Sequence, residues 1–394
     1  MTRILLFSGF LGLAVIGIHF LKIIPNSSDL GEPVVQINFT DRFGHSLQER
    51  SPQSLEANAT AFVKTLEQSP QIFVDGQTIT TTLHPSVQMM ASEKLNDYLE
   101  TSRLRPLQSG EVFIIDHQSD EVLAYVSTGE SHLSPGDWTS ALEPFIYAMA
   151  LERGYTGASL LPETSKTWTT LREALYRKAQ LPLEQIIGSL GPQAIAWRLK
   201  DLGISQSGQL NLPALVGAYA SFARGGIYRP LKWIKSERPY SDEKVFSDES
   251  ATIINDILSK AEMKDIVLPE HTAGFSVSRQ HEGIALLYNF KYVVGVWLSD
   301  LVPAGSIDAS RLPILVAKSI LNVLTPTDRL LPLPAKGNLV TRNLCREGTR
   351  VYQWDGQCSS WTELMPGTKP QFTSKDEIWD QSPDPSADSA RTRQ

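Results

Sequence analysis

A serine hydroxyl becomes a useful nucleophile when a neighbouring group takes its proton, so a serine with an ionisable residue one helical turn away is worth finding first. Two such spacings stand out. Ser241-Asp242-Glu243-Lys244 lies in a charged stretch after Pro239-Tyr240 with no apolar helix behind it, and reads as surface loop. Ser140-Ala141-Leu142-Glu143 precedes an apolar run, but here the second group is a carboxyl. A glutamate near its reference pKa of about 4.3 is a weak base at neutral pH. Ser-x-x-Glu before an apolar run is also a capping box, in which hydroxyl and carboxylate satisfy amide donors at a helix start, and that structural reading is the stronger one. No Gly-x-Ser-x-Gly, His-Glu-x-x-His or phosphate-binding glycine loop offers a different chemistry.

Cys345 and Cys358 are the two cysteines, with Gly348, Asp355 and Gly356 supplying turn chemistry between them. In an oxidising compartment they read as a disulfide, closing a loop worth roughly 3 kcal/mol in the chain-entropy model. In the cytosol they would be free thiols. A zinc site would need more ligands, and no Cys-x-x-Cys or His-x-x-x-His accompanies them, so no metal and no cofactor is expected.

The amino terminus argues for the oxidising side. From Ile4 to Leu21 the residues are apolar except Ser8, the glycines and His19, and Ile23 and Ile24 extend the run. At ~1.5 Å per helical residue that length crosses a bilayer core. Arg3 precedes it, while Asp29 and Glu32 follow Lys22, which leaves the amino terminus in the cytoplasm and the rest outside. A cleaved signal peptide is the rival reading, but the apolar region is long for one and no clear Ala-x-Ala site follows. The apolar share of 41% and charged share of 20% are globular, and a net charge of -7 argues against a nucleic-acid partner.

The elements that must position Ser140 follow from periodicity. Thr78 to Leu83 is strand-like, and Pro85 to Leu99 is spaced as a helix. Glu111–Asp116 and Glu121–Val126 read as a hairpin around the polar turn His117-Gln118-Ser119-Asp120. Helical patterns cover Leu55 to Glu67, Ser140 to Arg153, Leu171 to Lys178, Leu183 to Leu190, Pro192 to Leu202, Leu212 to Ala223, Ser250 to Ala261 and Leu312 to Leu324. Strands are expected at Ile284 to Asn289 and Tyr292 to Leu298. Strands at both ends of a helical block imply one antiparallel sheet assembled from distant sequence.

The order of these segments resembles the transpeptidase domain of bifunctional penicillin-binding proteins, closest to the 1C type. The resemblance rests on Thr81-Thr82-Leu83-His84-Pro85-Ser86-Val87-Gln88, on Val122-Leu123-Ala124-Tyr125-Val126, and on Ser134-Pro135-Gly136 followed by Pro144-Phe145. It continues through Leu212-Pro213-Ala214-Leu215-Val216-Gly217-Ala218-Tyr219-Ala220-Ser221-Phe222-Ala223-Arg224-Gly225-Gly226 and Tyr292-Val293-Val294-Gly295-Val296-Trp297. It implies an α+β penicillin-binding/serine β-lactamase-like fold, an antiparallel sheet with helices on both sides and a helical subdomain. The implied organisation is a transmembrane anchor over 1–24, a stalk over 25–77, the transpeptidase-like domain over 78–326, a small disulfide-containing module over 327–370 and a disordered tail over 371–394. Residues 25–77 are far too few for a glycosyltransferase half.

Such enzymes acylate a serine to cross-link peptidoglycan peptides, using Ser-x-x-Lys, Ser-x-Asn and Lys-Thr/Ser-Gly motifs. Each is altered here. Ser140 keeps the nucleophile position, but Glu143 replaces the lysine, and its charge would oppose an anionic intermediate. Lys178-Ala179-Gln180 replaces the second motif, so Lys178 would face Glu143 and a proton relay would become an ion pair. His271-Thr272-Ala273-Gly274 replaces the third, where His271 is mostly neutral and Ala273 adds a methyl, weakening carboxylate capture. The resemblance therefore implies a catalytically inactive, membrane-anchored, extracytoplasmic binding or scaffolding protein of the bacterial envelope, with peptidoglycan peptides or cell-wall synthesis proteins as possible partners. The alternative is a serine acyltransferase using Ser140 with Lys178 as substitute base and able to bind β-lactams. A third reading gives the activity to the disulfide module, with Tyr352, Trp354 and Trp361 as a contact patch or, by default, a small core.

Overall fold

A strand buried on both faces is apolar throughout yet still alternates which core each side chain enters. The segments Gly110–Asp116 and Tyr292–Leu298 read that way, and they lie side by side at the centre of the molecule. The structure is a computed structural model describing residues 37–367 apart from 48–54, 69–75, 102–108, 129–138, 165, 205–209, 236–240, 261–262, 264, 280–281, 300–306, 327–330, 349 and 355.

The chain enters through β1 (Asn38–Thr40), α1 (Leu55–Glu67), β2 (Thr78–Thr80) and α2 (Pro85–Thr101). The hairpin β3 (Gly110–Asp116) and β4 (Glu121–Thr128) follows, then a 3-10 turn (Thr139–Leu142) leading into α3 (Glu143–Glu152). Next come the short pair β5 (Leu160–Pro162) and β6 (Trp168–Thr170), then α4 (Leu171–Arg177), α5 (Gln180–Leu190), α6 (Pro192–Asp201) and α7 (Leu212–Ala223). After β7 (Ile227–Tyr228), β8 (Glu243–Lys244) and α8 (Asp248–Ser259), the sheet resumes with β9 (Ala273–Arg279), β10 (Glu282–Tyr288) and β11 (Tyr292–Leu298). Helix α9 (Ile307–Leu324) precedes β12 (Leu339–Glu347), β13 (Arg350–Gln353) and β14 (Ser360–Pro366).

The central sheet has five strands in the order β4-β3-β11-β10-β9, every pairing antiparallel. Phe113, Ile115, Ile284, Leu286, Tyr288, Val293 and Trp297 face the core under α3, α7 and α8, while Val112, Ile114, Ala285, Leu287, Val294 and Val296 face the core under α2 and α9. The expected antiparallel sheet built from distant sequence is thus observed. Strand β9 is its outer edge.

Two boundaries differ from expectation. Part of the expected stalk belongs to the domain: β1 pairs in parallel with β2, and Phe39, Leu47, Ala59, Phe62 and Leu66 are buried in the main core. Their apolar side chains are scattered among polar ones, so the local pattern gives little sign of burial. The disulfide module is a three-stranded antiparallel sheet, order β13-β12-β14, and the Cys345–Cys358 bond is formed within it. It is not a free appendage, because Leu344, Val351 and Met365 share a small core with Ala158 and Leu160 of the main domain. Of its three aromatics Tyr352 is buried, Trp361 packs against that core, and Trp354 is exposed with its indole N–H donating to the Cys358 carbonyl. No helix among the described residues is long and apolar enough to cross a membrane. The anchor over 1–24 and the tail over 371–394 lie outside the described residues.

Candidate functional site

Helix α3 is apolar around its whole circumference and buried from Glu143 to Leu151, which makes it a core helix rather than a surface one. Phe145 stacks on Phe222 at 4.9 Å and meets Tyr219 edge-on at 5.0 Å, locking α3 against α7. Its amino-terminal end therefore emerges at a fixed place, next to β9, against which the 3-10 turn packs. Ser140 sits in that turn, half-buried. Glu143 follows three residues later as the first residue of α3.

The expected capping box is not formed. The residue before α3 is Leu142, with no side-chain cap, and the 3-10 turn leads straight into the helix. Pro144 in the first turn removes one of the amide donors that a cap would satisfy. Glu143 is instead buried, and its Oε2 has no hydrogen-bond partner. Burial pushes its carboxyl up to about 7, and the Lys178 ammonium pulls it only partly back. The expectation of an ordinary glutamate, fully charged at neutral pH, is corrected by that desolvation. One turn further along, the Tyr147 hydroxyl is also buried without a partner, raised by burial and by Glu143. Tyr219 donates to the Ala141 carbonyl at 2.7 Å, fixing the turn that carries Ser140.

Lys178 closes α4 in the left-handed conformation, φ 56°, a position that usually goes to glycine or asparagine. That turn brings its side chain across to the sheet. Its ammonium donates to the Ser276 carbonyl and lies 4.9 Å from the centre of the Phe275 ring. Lys178 thus feels Glu143 electrostatically, but the hydrogen bond goes to strand β9, in place of the expected contact ion pair. In an antiparallel strand a residue's N–H and C=O point the same way, so Ser276 directs both away from β10, along the open edge of the sheet. Lys178, Gly274, Phe275 and Ser276 line a cavity of about 330 Å³ together with Tyr176 and Arg177.

The remaining expected positions fall elsewhere. Gln180, at the start of α5, is exposed and donates to Glu184 at 2.7 Å. His271 is exposed in a left-handed turn, φ 58°, before β9 begins, and is not among the residues that line the cavity. Thr272 is buried with its hydroxyl unpartnered. Ala273 pairs with Tyr288, and Gly274 pairs with Leu287. A Cβ on Gly274 would stand 2.9 Å from the Leu286 carbonyl and would overlap the Leu287 side chain, so this glycine serves strand packing within the sheet. Phe275 and Ser276 were expected on the strand that the third motif leads into but were given no role there, which only their contacts with Lys178 reveal. Glu143, Lys178 and Ser276 are linked beside the turn that carries Ser140, whereas Gln180 and His271 lie apart from them.

No family model matches the sequence. Penicillin-binding protein 1C of Escherichia coli (strain K12) is 27% identical over 354 residues, a match covering 74% of this chain and 44% of that protein. Among solved structures, penicillin binding protein 3 of Mycobacterium tuberculosis, determined with aztreonam, superposes with a TM-score of 0.58 at 15% identity, covering 75% of this chain and 97% of that one. The PonA1 protein of the same organism, in complex with penicillin V, gives 0.54 at 17% identity, covering 71% and 94%. A peptidoglycan glycosyltransferase from Burkholderia ambifaria gives 0.53 at 14% identity, covering 64% and 99%. The chain has the fold of the penicillin-binding proteins it is similar to.

Proposed function

We propose that this domain has given up acyl transfer and serves as a membrane-anchored binding or scaffolding module in the extracytoplasmic part of the cell envelope, in contact with peptidoglycan peptides or the proteins that assemble them. The observation that carries the reading is the state of the two ionisable groups that would have to serve Ser140. The group one turn away is a buried carboxyl, half protonated near neutral pH. The amine from α4 is bound to a backbone carbonyl on the sheet edge. An ammonium already donating to a carbonyl does not take a proton from serine, and a carboxylate beside a developing oxyanion opposes it. The apolar run from Ile4 to Leu21 supports the anchored topology, and the disulfide is compatible with an oxidising compartment. The relative in Escherichia coli bears the name of a penicillin-binding protein, and this chain matches less than half of it.

The test is chemical. Incubation of the protein with a fluorescent penicillin, followed by intact-mass measurement, is expected to leave the mass unchanged. A stable adduct that disappears in Ser140→Ala would overturn the reading and establish a serine acyltransferase. Crosslinking in cells followed by partner identification then addresses scaffolding directly.

A further inference from the structure

The outer strand of a sheet is a template on which another chain can pair, and whatever holds its outward backbone groups decides whether that pairing is open. On β9 the Ser276 carbonyl points outward, and Lys178 donates to it. The backbone under that lysine is fixed, because it caps α4 in the left-handed conformation with its N–H bonded to the Ala174 and Leu175 carbonyls. Its side chain has room to move, since it lines the cavity of about 330 Å³ beside β9. The ammonium there meets a carbonyl dipole and the face of the Phe275 ring. A charged carboxylate in the same partly dry place competes with both. Glu143 can become one: it already interacts with Lys178 electrostatically, and its Oε2 is buried with no hydrogen-bond partner. The other titratable groups around the pair are Tyr147 on α3 and Tyr219 on α7, whose hydroxyls burial keeps protonated, and Tyr176, Arg177 and the exposed Asp265 around the cavity.

We infer that Lys178 is a latch on the open edge of the sheet: seated on the Ser276 carbonyl it fills the acceptor that an added strand would use, and it leaves that carbonyl for Glu143 when the Glu143 carboxyl loses its proton. The two acceptors lie on different elements, β9 and α3, so one swing of a single side chain changes what the sheet edge presents. Burial holds the Glu143 proton up to about 7. The latch is therefore closed in mildly acid solution, where Glu143 is neutral, and released in mildly basic solution, where it is charged. The inference rests on the reading of the domain as a binding module, because a latch of this kind controls the docking of a strand. It does not require Ser140 to be inert.

The experiment is nuclear magnetic resonance on the full chain in detergent, isotope-labelled at the serine carbonyl carbon and the valine nitrogen. The sequence holds two Ser–Val peptide bonds, Ser86–Val87 and Ser276–Val277, so a carbonyl-to-amide correlation gives two signals, and Val87→Ile removes the first. Raising the pH from about 5.5 to about 8.5 is expected to move the Ser276 carbonyl resonance upfield, the direction of a lost hydrogen bond, with a midpoint near 7. In Glu143→Gln the resonance should stay at its acid position throughout, and in Lys178→Met at its basic position. Asp265→Asn should titrate as the wild type does. A resonance that does not move in the wild type, a titration that survives Glu143→Gln, or one that vanishes in Asp265→Asn would overturn the latch. Failure here is distinct from failure of the binding-module reading: a penicillin adduct on Ser140 would sink that reading and leave the carbonyl titration in place.

Discussion

A buried carboxyl whose oxygen has no donor links stability to pH, and the sign follows from which state holds the proton. Glu143 and Glu111 both titrate at about 7 in the folded chain, raised first by burial. Unfolded, each would lose its proton near the ordinary carboxyl value. Their folded forms therefore keep protons that the unfolded chain releases, and their contribution to stability is full below pH ~4.5 and falls as pH rises to about 7. Glu143→Gln mimics the protonated form. It is expected to leave stability unchanged at pH 4.5 and to raise it by on the order of 2 kcal/mol at pH 8, read from urea midpoints at both values. His117 has the opposite sign: burial and Arg224 lower it to about 4, so its contribution is present above pH ~6.5 and lost as pH falls. The Ser140–Glu143 spacing was visible in the sequence, but the raised carboxyl was not, because its cause is the packing of α3 among α5, α7 and α8 rather than any neighbour in the chain.

Among the elements, β9 ties the site to the sheet, and Gly274, lacking a Cβ, lets it lie close on β10. Gly274→Ala would press a methyl group against the Leu286 carbonyl and the Leu287 side chain. It is expected to cost about 2 to 4 kcal/mol, seen as a lower melting temperature with weakened protection in β9 and β10. Gly188 in α5, which has open space around it, is the matched control and should tolerate alanine. The long elements were legible: Leu55 to Glu67 and Leu212 to Ala223 match their helices end to end, and Tyr292 to Leu298 matches β11, because each carries a full period of apolar residues. Short pairs such as β5 with β6 and β7 with β8 were not, since two or three residues are too few to show a period. Lys178 was placed in the right neighbourhood by motif. Its partner on Ser276 could not be, because a left-handed cap and an open strand edge are three-dimensional facts.

At the scale of the whole molecule, α4 joins two regions that the sequence presents as separate. Its carboxyl end delivers Lys178 to the sheet edge, and near its start Arg172 reaches the disulfide module, donating to Glu363 at 2.6 and 2.9 Å and to Asp256 at 2.6 Å. Glu363 is fully buried, so removing its partner strands a charge, whereas replacing both partners with apolar groups removes the problem. Arg172→Met is therefore expected to lower stability by about 3 to 5 kcal/mol, a fall of roughly 10 °C in Tm. The double change with Glu363→Met should recover most of that loss. The two variants separate two ways of holding the module. If the double change is as unstable as the single one, docking depends on the ionic lock itself. If it recovers, the small core of Ala158, Leu160, Leu344, Val351 and Met365 holds the module, and the ion pair sets its orientation. In the second case hydrogen exchange around Lys178 should match the wild type in the double variant and rise in the single one, because α4 moves only when Glu363 is left unpaired.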